Sequence, residues 1–223
     1  MKVCVIIPTF NESKTVPALV KKILAQNLSV VIVDDGSTDN TARIAQNSGA
    51  RVIRNEKNLG KGASLIRGFK YALENNFEEV ITMDGDGQHL PEDIPFFLRL
   101  AKFSDGDIFI GNRMSKTQKM PFIRILTNKF MSWIISCISG QEIPDTQCGF
   151  RLIKIGVLKR VALKTSKYET ESEILIKAAR MGFKVTSVPI KSIYSGQKSQ
   201  INPLVDTIRF IKLILNEIWN TKL

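Results

Sequence analysis

Apolar positions fall in short, nearly continuous runs separated by amphipathic stretches, and this alternation continues through the first half of the chain. KVCVIIP (2–8), LSVVIVDDGS (28–37), ARVIRN (50–55), EEVITMD (78–84) and DIFIGNR (107–113) are short and rich in Val and Ile, so each predicts a strand. Helical spacing covers about 13–26, 39–48, 60–76 and 91–103, the last opening with Pro91, which suits a first helical turn. Strands alternating with helices build βαβ units, and runs apolar on both sides imply a mostly parallel sheet covered on both faces. The second half adds an apolar-rich segment at 119–139 carrying Arg124 and Lys129, and a strand at CGFRLIK (148–154). Helices follow at about 156–163 and 170–181, then a strand at 183–190 that Pro189 assigns to a sheet edge, and a last helix at 202–219.

In open α/β sheets ligands bind beyond the carboxyl ends of the strands. Acids gather at those ends: Asp34 and Asp35 after the second run, Asp84 and Asp86 after the fourth, with Asn11 and Glu12 after the first. ITMDGDGQH (81–89) crowds two carboxylates two residues apart between glycines. Such a pair suits a divalent cation, because Mg²⁺ takes one or two carboxylates and completes its shell with substrate phosphates. Gly85 and Gly87 allow a tight bend, and Gln88 offers a further oxygen. The alternative is an acidic surface turn. Other motifs fail on spacing. An EF-hand starting at Asp84 needs Gly sixth and Glu twelfth, where His89 and Pro95 stand. NLGKGAS is not a P-loop, and no GxGxxG follows the first strand. Ser37, Thr38 or Asp39 suits a helix cap, whereas a carboxylate at 34–35 could accept from a base or ribose. His89, the single histidine, is expected to pack or bond to backbone, and Trp133 and Trp219 are expected in the core.

The 223 residues, 43% hydrophobic and 24% charged, suffice for a packed core. A net charge of +11 favours polyanionic partners, but the cations are scattered rather than gathered in a tail. Acids at the sheet mouth argue against a nucleic-acid binder. Cys4, Cys137 and Cys148 form no CxxC pair, so free thiols in a reducing compartment are expected, not a disulfide frame or zinc site. MKVCVIIPTFNE lacks a signal-peptide cleavage site, and no apolar stretch reaches the roughly 18 residues of a spanning helix. Surface attachment stays open.

PTFNE (8–12), VDDGSTDNT (33–41), NLGKGASLIRG (58–68), MDGDGQH (83–89), GNR (111–113) and DTQCGFR (145–151) occur in that order. Together they resemble the inverting family 2 glycosyltransferases of GT-A fold, in particular the dolichol-phosphate mannose and polyprenyl-phosphate sugar synthases, to about Phe210. The resemblance implies one catalytic domain over 1–200, with a nucleotide-sugar half (1–113) and an acceptor half (114–200), followed by an amphipathic helix at 201–223. Pro8, Phe10, Glu12, Val33 and Asp35 fall where the family cradles the nucleoside of a GDP- or UDP-linked sugar. Asp84, Gly85 and Asp86 match the DxD element, and Asp84, Asp86 and Gln88 match the surroundings of a Mg²⁺ or Mn²⁺ ion. Arg113 matches a phosphate-binding arginine. Arg124 and Asn128 match an Arg and a Ser that grip a lipid phosphate, Asn128 departing from the family's Ser but still able to donate a hydrogen bond. Lys198 falls near a loop lysine that meets the donor diphosphate, although that loop's usual upstream arginine has no match.

A lipid-phosphate acceptor is already an anion and needs orientation, not a base. A hydroxyl acceptor would need one, with Asp145 ranked ahead of Glu173, and either acid could instead cap or pair. The expected activity is sugar transfer to a polyprenyl phosphate by an enzyme docked on the cytoplasmic face of a membrane through 119–139 and the last helix. The alternatives are transfer to a hydroxyl, or nucleotide-sugar binding without turnover.

Overall fold

The computed structural model describes residues 2–115, 120–191 and 203–219. The strands are β1 (Val3–Thr9), β2 (Ser29–Asp34), β3 (Arg51–Arg54), β4 (Glu79–Thr82), β5 (Ile108–Asn112), β6 (Arg151–Lys154) and β7 (Val185–Pro189). They form one seven-stranded sheet in the order β3-β2-β1-β4-β6-β5-β7. All pairs are parallel except those of β6, which runs against both β4 and β5. Every residue of β1 and of β4 is buried, as expected for strands covered on both faces. Pro189 ends β7, an edge strand, where a missing N–H breaks no ladder.

The helices are α1 (Val16–Leu24), α2 (Thr41–Asn47), α3 (Lys61–Glu74), α4 (Ile94–Phe103), α5 (Phe122–Ser139), α6 (Ile155–Arg160), α7 (Thr170–Arg180) and α8 (Pro203–Trp219). A single 3₁₀ turn at Pro91–Asp93 leads into α4, so the helix expected from Pro91 begins one turn later. α3 lies against β1 at Gly68, where a Cβ would come within 2.5 Å of the Ile6 side chain. Under the sheet, Phe97 of α4 stacks on Phe150 at 4.5 Å, and His89 lies 5.4 Å from Phe150.

α5 is inverted. Its buried residues are Asn128, Ser132 and Ile135. Phe122, Ile123, Leu126, Phe130 and Trp133 face outward, Trp133 at 64% exposure. α8 buries Phe210, Leu213 and Glu217, with Glu217 ion-paired to Arg180 of α7 at 2.7 Å. Its Ile208, Ile211, Leu215 and Trp219 are exposed, Trp219 at 74%. The core placement expected for the two tryptophans is therefore corrected: both lie on outward apolar faces, because the polar residues of α5 and the ion pair of α8 take the inner side. Among the described residues, no helix is long and apolar enough to cross a membrane.

Gly68→Val is expected to destabilise the protein by about 1–3 kcal/mol, because the added methyls meet Ile6 in a filled layer. Urea titration should show a lower midpoint at unchanged slope.

Candidate functional site

The carboxyl ends of β1, β2 and β4 meet at one edge of the sheet, since these strands are parallel neighbours. Pro8 and Val33 are side by side there, paired in register on β1 and β2. The loops that follow are tied together: the Asn11 amide donates to Ser37 Oγ at 2.9 Å, and the Glu12 amide donates to Thr41 Oγ1 at 2.8 Å. Asp39 Oδ1 accepts the Thr41 amide at 2.9 Å just ahead of the N-cap of α2, which is Asn40 rather than the Ser37, Thr38 or Asp39 expected. Phe10 and Glu12 are half-buried at this edge.

Asp35 is buried, with both oxygens engaged within the protein. Its Oδ1 accepts from Asn55 Nδ2 at 2.7 Å and the Leu59 amide at 2.9 Å, and its Oδ2 accepts the Gly60 amide at 2.7 Å. This carboxylate shapes the loop leading into α3. Asp34 is fully buried and pairs with Arg54 at 3.2 Å.

The acidic pair sits beyond β4. Asp84 Oδ1 is 2.6 Å from Lys61 Nζ, and the same ammonium is 2.8 Å from Glu171 Oε2. The Asp84 amide lies 3.4 Å from His89 Nδ1, and His89 is buried against Phe150, so the histidine packs and bonds to backbone. Burial drives the His89 pKa down to about 4 against the pull of Asp84, keeping the ring neutral. Asp86 folds back so that its Oδ1 accepts the Gln88 amide at 2.9 Å.

The two aspartates are electrostatically unlike. Burial would raise the Asp84 carboxyl, but Lys61, by its charge and its hydrogen bond, holds it well below the usual carboxylate range. Asp86 is pushed up by burial and by the Asp84 charge, which Lys61 and Arg124 only partly offset. Glu12 is raised by burial and then by Asp86. The edge of the site around Asp86 and Glu12 is thus short of positive charge. Among the described residues no group of three or more His, Cys, Asp or Glu could hold a metal. Asp86, whose pairing is incomplete, and Asp84 two residues before it nevertheless offer the hard oxygens a Mg²⁺-type ion takes when a ligand completes its shell. Close backbone approach confines Asp84, since a Cβ on Gly149 would fall 2.6 Å from its Oδ1.

Arg113, just past β5, is buried and bonded to Asp145 by a fork: Nε to Oδ2 at 2.8 Å and Nη2 to Oδ1 at 2.9 Å, with the Arg113 amide also on Oδ2 at 3.0 Å. Asp145 is fully buried, both oxygens engaged. Glu173 accepts from the Lys164 and Thr165 amides, Thr165 Oγ1 and Lys177. Both acids considered as a base are engaged in pairing, one with Arg113 and one with the 164–165 loop and Lys177. Arg124, in the first turn of α5, is half-buried and its charge reaches Asp86. One turn on, buried Asn128 has its Nδ2 without a hydrogen-bond partner among the described residues. Lys198 lies outside the described residues.

Three groups escaped the sequence. Lys61 stands inside NLGKGASLIRG, a stretch that failed as a P-loop, and its partner Glu171 lies 110 positions later on α7. Arg151, within DTQCGFR, is buried and donates to the carbonyls of Thr146, Cys148 and Glu171, setting the 145–150 loop against α7.

Residues 4–162 match the family model described as glycosyl transferase family 2. The UDP-N-acetylglucosamine–dolichyl-phosphate N-acetylglucosaminyltransferase of Methanococcus voltae is 31% identical over 213 residues, 85% of each chain. The dolichol-phosphate mannosyltransferase of Pyrococcus furiosus is 36% identical over 202 residues, 85% of this chain and 56% of that one. Glucosyl-3-phosphoglycerate synthase from Mycobacterium tuberculosis, solved with Mn²⁺, UDP and phosphoglyceric acid, superposes with a TM-score of 0.77 at 19% identity, over 97% of this chain and 78% of that one. This is the GT-A fold.

Glu173→Gln should cost about 1–3 kcal/mol at neutral pH, because buried donors lose an acceptor. Burial raises the Glu173 carboxyl, but Lys177 and Thr165 outweigh it and hold it below its ordinary value. A lowered folded-state pKa gives stability that is complete above the unfolded value and lost as pH falls through the folded one. Denaturant midpoints of the two proteins should therefore differ at neutral pH and converge as the medium is acidified below the glutamate range.

Proposed function

The chain belongs to glycosyltransferase family 2, and with that as premise we propose that it moves a sugar from a nucleoside-diphosphate donor to a polyprenyl phosphate at the cytoplasmic surface of a membrane. The observation that supports the acceptor is helix α5, with buried polar residues on its inner face and large apolar ones outside. Arg124, Asn128 and Ser132 follow one another at four-residue spacing, on one face of the helix. Arg124 reaches Asp86 by charge, and the Asn128 amide is buried without a partner among the described residues. A phosphate would satisfy both, while the outward Phe122, Leu126, Phe130 and Trp133 suit the isoprenoid and the bilayer around it.

The donor is placed beyond β1, β2 and β4, its nucleoside between Pro8, Phe10, Glu12 and Val33, with Asp35 acting through the 55–60 loop it holds. Asp84, Gly85, Asp86 and Gln88 form the rim where the diphosphate lies. A Mg²⁺ or Mn²⁺ ion held by Asp86 and Asp84, with Gln88 beside it, would offset charge growing on the departing nucleoside diphosphate. An acceptor phosphate oxygen bonds to the anomeric carbon as the carbon–oxygen bond to the diphosphate breaks on the opposite face, which inverts the centre. No proton is transferred, which accords with Asp145 and Glu173 being engaged. Asp145 instead keeps the Arg113 guanidinium in one orientation toward phosphate. Lys198 is retained as a contact of the donor diphosphate. Relatives named for both UDP-N-acetylglucosamine and mannose transfer leave the sugar to direct assay.

Asp86→Asn is expected to lower transfer by at least about a hundred-fold, as for loss of a charge-stabilising group. Asn128→Ala should raise the apparent KM for polyprenyl phosphate about ten-fold and leave donor affinity unchanged, the cost of about one hydrogen bond to a charged partner. Both are measured with radiolabelled donor and extracted lipid. The lipid product should release its sugar in mild acid; a product stable to mild acid sinks the phosphate acceptor and favours a hydroxyl. A Phe130→Asp, Trp133→Asp double variant should lose sedimentation with anionic liposomes while keeping donor binding.

A further inference from the structure

Lys61 is the first residue of α3, where the helix dipole disfavours a cation, and its side chain is mostly buried. It is held there by two carboxylates from different elements, Asp84 beyond β4 at 2.6 Å and Glu171 in the first turn of α7 at 2.8 Å. The starts of α3 and α7 are pressed together to bring this about. A Cβ on Gly62 would fall 2.0 Å from Thr170 Oγ1, and the Ala63 amide donates to the Ser166 carbonyl at 2.8 Å. One oxygen of Asp84 is thus already occupied by a fixed ammonium, while Asp86 turns one of its own to the Gln88 amide.

We propose that Lys61, positioned by Glu171, is a built-in counter-cation that makes divalent-ion binding conditional on the donor. Without nucleotide, the ammonium covers Asp84 and repels a second cation. With nucleotide, the diphosphate supplies the missing oxygens and negative charge, and the same ammonium favours its binding. Ion and donor therefore bind together and the bare protein holds the ion weakly. The inference rests on the donor site proposed above.

The test is Mn²⁺ binding followed by electron paramagnetic resonance, with and without UDP or GDP, on the full chain. In Lys61→Met, Mn²⁺ alone should bind about ten-fold or more tighter, the expected direction and scale for removing a like charge a few ångströms away. Mn²⁺–nucleotide should bind about ten-fold weaker. Lys61→Arg should restore the wild-type order. A purely structural role would weaken both or neither. If Lys61→Met does not fold, Lys61→Met combined with Glu171→Gln keeps the local charge balanced while freeing the Asp84 oxygen, and should also bind Mn²⁺ alone more tightly than wild type. Unchanged or weaker binding of Mn²⁺ alone by a folded Lys61 variant overturns the proposal. If wild type binds neither nucleotide with Mn²⁺, the donor site itself is wrong, an outcome distinct from donor binding that Lys61 does not govern.

Discussion

The contact on which the rest of the structure turns is a single ammonium clasped by two carboxylates. Lys61 joins the start of α3, the turn beyond β4 and the start of α7 at one point. Burying charges is costly unless they are paired, so these three elements cannot separate without leaving a carboxylate or an ammonium stranded. Around that point the chain withdraws side chains to let backbones close in: at Gly62 against Thr170, and at Gly149 against Asp84. The acidic edge is consequently fixed by the fold, with Asp84 paired to Lys61 and Asp86 only partly compensated by Lys61 and Arg124.

A second constraint acts on the acceptor side. Arg113 and Asp145 bond by a fork with no solvent between them, and Arg151 spends its guanidinium on backbone carbonyls of the 145–150 loop and α7. Two arginines with opposite kinds of partner thus fix one loop from both ends. Against this frame α5 turns a mixed face inward, Asn128 and Ser132 beside Ile135, and leaves large apolar side chains outside, where an ordinary surface helix would be polar. In the function proposed above, a phosphate would lie beneath that helix and hydrocarbon outside it.

Much of the fold was legible because its strands are short buried runs and most of its helices have clean spacing, so among the described residues each strand, and each helix but α5, falls on a stretch whose pattern predicts it. Parallel order followed from the alternation. The antiparallel insertion of β6 did not, since its apolar run, RLIK, looks the same in either direction. At the site, the acids were legible from their places after strands, but not their partners. The amides of Leu59 and Gly60 on Asp35 come from a loop whose path the sequence pattern does not give. The choice between a base and a pairing role for Asp145 could not be read without Arg113 across from it, 32 positions earlier. Trp133 and Trp219 read as core because apolar spacing tells which residues share a face, not whether that face turns inward.

The reversed strand has a consequence for how such a protein diversifies. Because β6 runs against β5 and pairs with it, residues 113–150 leave the sheet at the end of one strand and re-enter at the start of its neighbour. That whole excursion, with α5 inside it, is a closed detour whose two ends are pinned together by the ladder of Ile108–Ile110 with Arg151–Ile153. Strand pairing itself does not depend on the length of that excursion, but its two ends bear on the core, through Arg113 on Asp145, Gly149 against Asp84 and Phe150 on Phe97, so a change of length is best absorbed between them.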